Sequence, residues 1–111
     1  MSQQQPPTPS EDIEKAKINL ETAQIAWRDL ERFFASGIVI YVAPTLPMVD
    51  VAYAIAQDNV TLVKSWMESR QLEHVSDAQA IQWHKDDTMV WSVVVKPWVL
   101  VQEIVHPSPA S

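Results

Sequence analysis

Apolar residues recur at three- and four-residue steps near the start of the chain, at Ile13, Ala16, Leu20, Ala23 and Trp27. That spacing puts them on one face of a helix. Ser10 supplies an N-cap, and Glu11 and Asp12 follow where the helix dipole favours acids. On the polar side, Glu11 with Lys15 and Glu14 with Lys17 stand at supporting spacings. A second helical set, Trp27, Leu30, Phe33 and Phe34, runs into Ser36-Gly37. A glycine just past a helix supplies a left-handed cap. The pattern then changes to a continuous β-branched and aromatic run, Ile38-Val-Ile-Tyr-Val42, which predicts a strand buried on both faces.

Pro44 and Pro47 break that strand and can open a helix, since proline is tolerated in a first turn. Val51, Ala52, Ile55 and Ala56 predict a helix over residues 49–57. Asp58 or Asn59 caps a further helix to about Ser69, with Val63, Trp66 and Met67 facing inward. Ser76 and Gln79 match a capping box, with Val75 placed to pack on Ala80, and the helix runs to about His84. After a turn at Asp86-Asp87-Thr88 come two β-prone runs, 89–95 and 98–105, separated by Lys96-Pro97. Two readings fit that break: a two-residue hairpin with a cis bond before Pro97, or one long edge strand with a bend. The hairpin is preferred.

The order of elements predicts an α+β fold, with a small, mostly antiparallel sheet of about three strands packed with four to five helices. The polar, proline-rich residues 1–9 and the stretch 106–111 read as disordered tails, leaving one domain over 10–105.

Several of these segments together resemble a bacterial family known as domain of unknown function 2288. They are Trp27-Arg-Asp-Leu30, Phe33-Phe-Ala-Ser-Gly37, Ile38-Val-Ile-Tyr-Val42, Val49-Asp-Val-Ala52, Asp58-Asn59, Trp66, Trp83 and Val94-Val-Lys-Pro-Trp-Val-Leu-Val-Gln102. The stretch Pro97 to Gln102 is the most specific. The resemblance implies a small cytosolic bacterial protein and brings no activity, cofactor or catalytic residues.

Composition narrows the chemistry. The chain has 111 residues, 47% of them hydrophobic and 20% charged, which is globular rather than disordered. Having no cysteine, it has no disulfides, thiol nucleophiles or thiolate metal sites. Gly37 is the only glycine, so the glycine-rich loops that cradle phosphates or dinucleotides cannot be built. Fourteen acidic against eight scattered basic side chains give a net charge of −6, which disfavours nucleic acid and anionic membranes. No secretory signal stands at residues 1–10, and no apolar run approaches the ~20 residues of a membrane helix. The cytosol is the expected compartment.

The remaining constellations are weak ones. His84 with Asp86 and Asp87 has metal-ligand chemistry, but at a helix end these residues ordinarily answer the dipole and solvate a turn. Asp50 and Asp58 read as helix-start acids, and no nucleophile–base pair stands at a recognisable spacing. Residues 47–70 have the lengths of a helix-turn-helix, yet the second helix offers just Lys64 and Arg70 as cations. Neither a cofactor nor a metal is expected. The terminal strands are apolar on both faces, so helices or another chain must cover them. The preferred reading is a non-enzymatic protein-interaction or regulatory module, homodimeric through its C-terminal strands. Its candidate surface is Trp91, Pro97, Trp98, Leu100 and Gln102. The alternatives are a helix-turn-helix regulator and an enzyme of unrecognised type.

Overall fold

The computed structural model describes residues 9–105. The tails expected at 1–9 and 106–111 lie outside the described residues, apart from Pro9, which opens the first helix. In chain order the elements are α1 (Pro9–Glu21), β1 (Ala23–Ala26), a 3-10 turn (Trp27–Leu30), α2 (Glu31–Ala35), β2 (Val39–Val42) and α3 (Met48–Ala56). They continue with α4 (Val60–Glu68), β3 (Leu72–His74), α5 (Asp77–Lys85), β4 (Met89–Val95) and β5 (Trp98–Glu103).

The α+β class and the five helices match the pattern, but the sheet is larger than about three strands. Among the described residues it has five, in the order β1-β4-β5-β2-β3. β5 runs parallel to β2, and the other three neighbouring pairs are antiparallel. The two extra strands lie at the edges and are short: Ala-Gln-Ile-Ala for β1, Leu-Glu-His for β3. Neither is rich in β-formers. Each becomes a strand because a stronger neighbour templates it, Met89–Ser92 for β1 and Ile40–Val42 for β3.

Pairing of β1 also ends α1 early. The helix stops at Glu21 instead of continuing to Trp27, and the expected apolar face is not the buried one. Ile13 is 55% exposed and Leu20 84% exposed, whereas Ile18 packs inward. The helix docks on α3 partly through Lys15, whose Nζ lies 3.3 Å from Asp50 and 5.3 Å from the centre of the Tyr53 ring. The hydrogen bond to Asp50 raises the Lys15 pKa. A long basic side chain laid over an aromatic ring thus takes a place that the periodicity assigns to aliphatic residues.

Local signals fare better elsewhere. Gly37 has φ +76° and receives α2, its N–H donating to Phe34 O. Residues Asp58, Arg70 and Asp87 adopt the same left-handed conformation beyond α3, α4 and α5. Ser76 Oγ accepts from Gln79 N at 3.1 Å while Gln79 Oε1 accepts from Ser76 N at 3.1 Å, completing the capping box. Asn59 Oδ1 caps α4 by accepting from Leu62 N. The terminal strands form the hairpin: Val95 pairs with Trp98 across Lys96-Pro97, whose peptide bond is cis.

Helices cover both faces of the sheet. On one face the 3-10 turn and α5 bring Trp27, Leu30, Ala80 and Trp83 onto Val39, Val90, Val99 and Val101, with Phe33 and Phe34 of α2 packed against them. Trp27 is wholly buried, with Trp83 at 5.0 Å and Phe34 at 5.6 Å edge to face. Among the described residues its Nε1 has no hydrogen-bond partner, so apolar area and ring contacts carry its contribution. On the opposite face, α1, α3 and α4 close over Val42, Val93 and Leu100. No helix among the described residues is long and apolar enough to cross a membrane.

Candidate functional site

An apolar cleft lies where α4 crosses the β3 end of the sheet. α3 delivers Ile55 to this place, Asn59 caps the turn into α4, and α4 then presents Val63 and Trp66 toward the sheet. Both stay half-buried, and no residue of α4 is fully buried. The cleft beneath and beside it measures about 350 Å³. Ile40, Leu72 and Trp98 line the sheet side, while Val60, Val63 and Met67 line the helix side. Asp58, Asn59, Lys64, Glu73 and His74 form the polar part of the lining. The His74 ring meets Trp98 edge-on at 6.2 Å. Among the described residues, Asp58, Lys64 and Glu73 take part in none of the ion pairs.

The structure separates the five residues singled out from the terminal strands. Trp98 lines the cleft, half-buried, and Pro97 sits exposed in the adjoining turn. Trp91 is half-buried against the core beneath α1 and α3. Leu100 has no exposed surface, because β5 is the central strand with β4 and β2 on either side. Gln102 is occupied structurally: its Nε2 donates to Ala43 O at 2.9 Å and Leu46 O at 2.7 Å. It therefore ties down the proline-flanked turn that leads from β2 into α3. A run of sequence that reads as one surface is thus divided among cleft, core and turn.

The partners that complete the cleft, Val60, Val63, Met67, Glu73 and His74, come from elements 24 or more positions upstream of Trp98. One signal for them is present in the sequence. α4 carries apolar residues on more than one side: Val60 is 68% exposed, and Met67, expected to face inward with Val63 and Trp66, is 50% exposed.

The acid–base groups lie elsewhere. His84 Nδ1 is 3.0 and 3.1 Å from the two carboxylate oxygens of Glu31. Asp87 pairs with Arg28 at 3.5 Å, and Asp86 accepts from Gln82 Nε2 at 2.7 Å. Each of the three residues His84, Asp86 and Asp87 is thus directed to a different neighbour. Among the described residues no three His, Asp or Glu side chains are grouped to hold a metal ion. Tyr41, packed near Trp83, donates a 2.6 Å hydrogen bond to Glu103, and burial together with that bond raises its pKa.

The chain resembles a solved protein along nearly its whole length. The solution NMR structure of PA1075 from Pseudomonas aeruginosa is 35% identical in sequence, covering 94% of this chain and 96% of that one, with a TM-score of 0.75. No match was found among curated proteins. The model of a family described as a protein of unknown function, DUF2288, matches residues 13–103, which span β1 to β5 and all the core described above. The chain belongs to the DUF2288 family.

Proposed function

We propose that this protein is a non-enzymatic protein-interaction module that docks its partner at the cleft between α4 and β3. The observation that carries the reading is the cleft itself: about 350 Å³, lined on both sides by aliphatic and aromatic groups. A concave apolar site with a few polar groups at its margin is the usual form of a binding site. The cations that a helix-turn-helix reading of α3 and α4 needs are scarce, with Lys64 the lone cation of α4 and a net charge of −6 overall.

The test is affinity capture with the wild-type chain and with Met67→Gln, followed by reconstitution with the purified partner. Met67 is half exposed, so this substitution leaves the fold intact. A partner retained by the wild type and lost from the variant supports the reading. Equal retention by both, or no specific retention, overturns it.

Self-association through the C-terminal strands is a second form of the reading, favoured by one detail. β1 ends its pairing at Ser92, so among the described residues Val93–Val95 of β4 have no strand partner on that side, and Val94 is 55% exposed. Light scattering across a concentration series decides it. A dimer that Val94→Lys converts to monomer supports the idea, and a monomer at all concentrations sinks it.

A further inference from the structure

The cleft and the sheet edge beside it specify what kind of partner segment fits. Among the described residues β3 is the outermost strand and pairs with β2 alone, so one side of its backbone has no strand neighbour there. Successive residues of a strand point to opposite faces. Leu72 is buried beneath α4 and Glu73 is on the other face, yet the cleft is lined by Leu72, Glu73 and His74 in succession. A cavity lined by all three residues of this short strand runs along the strand's backbone as well as its side chains. It therefore offers backbone donors and acceptors together with an apolar recess under α4.

A small apolar molecule would fill the recess and leave those backbone groups to water. An extended peptide satisfies both, because it adds main-chain hydrogen bonds along the edge and sends alternate side chains into a pocket. The margin adds a preference of charge. Asp58 and Glu73 are exposed carboxylates outside the ion pairs among the described residues, set against the single ammonium of Lys64, in a chain of net charge −6. Complementary charge at such a rim governs which partners are admitted.

Resting on the interaction reading above, we infer that the cleft receives an extended segment of a partner protein. The segment pairs with the free edge of β3, places an aliphatic side chain between Val63, Met67 and Trp98, and carries a lysine or arginine on its flank. Three features of the strand and cleft thus act together: backbone pairing supplies affinity, the recess selects an apolar side chain, and the carboxylates select a basic flank.

The experiment titrates the full ¹⁵N-labelled chain with three capped peptides: Lys-Val-Leu-Val-Lys, Glu-Val-Leu-Val-Glu, and the lysine peptide N-methylated at its leucine. Indole serves as a small apolar control. The lysine peptide is expected to shift the amides of 60–67 and 72–74 and to slow exchange of the outward amides of β3. It should bind about fivefold or more tightly than the glutamate peptide. N-methylation should remove most of the binding, and Glu73→Gln should weaken the lysine peptide about threefold. Equal affinity of the lysine and glutamate peptides overturns the basic flank, and indifference to N-methylation overturns the edge pairing. Indole binding without peptide binding makes the occupant a small molecule and also overturns the inference. If none of the probes binds but capture remains dependent on Met67, the peptide inference falls while the interaction reading stands.

Discussion

On one face of the sheet, Trp27, Trp83 and Phe34 meet edge to face around an indole with no exposed surface. On the other face, α4 contributes no fully buried residue and leaves a cleft beside Trp98. Both covers consist of short helices with tryptophans, so composition does not distinguish them. The difference lies in how completely the side chains interlock. Interlocked rings resist local opening, whereas a half-buried helix can open at lower cost. The tight face is scaffold, and the loose face has the freedom to accommodate a partner.

The largest test of that contrast compares two tryptophans in denaturant unfolding. Trp27→Ala should cost about 3–5 kcal/mol, the range for a buried large aromatic, and Trp66→Ala less than about half as much. Equal losses would erase the distinction between the faces.

Gln102→Ala comes next, at about 1–3 kcal/mol, because two carbonyls of the turn after β2 lose their shared donor. Unchanged stability would show that water replaces the amide there, and that the turn is as loose as α4. The helix caps extend the comparison at smaller scale. Ser76→Ala removes a reciprocal capping box and should cost about 1 kcal/mol, while Asn59→Ala removes a single bond at exposed α4 and should cost about 0.5 kcal/mol. A reversed order would mean that α4 is the better anchored helix.

The smallest effect is one of pH and belongs to the tight face. Burial and the bond to Glu103 hold the Tyr41 phenol above its ordinary value of 10.0. The folded protein keeps that proton where the unfolded chain releases it. The contribution is therefore complete below pH 10 and is lost as pH rises beyond it. Tyr41→Phe should cost under about 1 kcal/mol at neutral pH, since the pair is partly exposed, and should lack this extra alkaline loss. Parallel stability curves for the two proteins above pH 10 would rule out the assignment.

Much of this architecture is legible in the residues. The Ser76–Gln79 box, the Gly37 cap and the turn at Lys96-Pro97 are local, and each appears where its own chemistry puts it. β1 and β3 are not legible, because Ala-Gln-Ile-Ala and Leu-Glu-His become strands through neighbours remote in sequence. The face of α1 misleads for a related reason: Lys15 finds Asp50 and Tyr53, and the helix turns Ile13 and Leu20 outward. The cleft could not be read from the terminal strands alone. Trp98 belongs to it, while Leu100 and Gln102, two and four positions on, are claimed by the core and by a turn. Strand alternation and the central place of β5 set those roles, and the pairing with β2 is what makes β5 central.

That central place governs the order of assembly. Val39 pairs with Val99, 60 positions later, and β5, which follows the other described elements in the chain, is the strand that joins the sheet. Until it emerges from the ribosome, β1 with β4 and β2 with β3 are two unjoined ribbons with open inner edges. Such late, long-range closure folds slowly and leaves those edges exposed in the meantime. A nascent chain stalled before Trp98 holds every described helix and four of the five described strands, yet lacks the strand that joins their two pairs into one sheet.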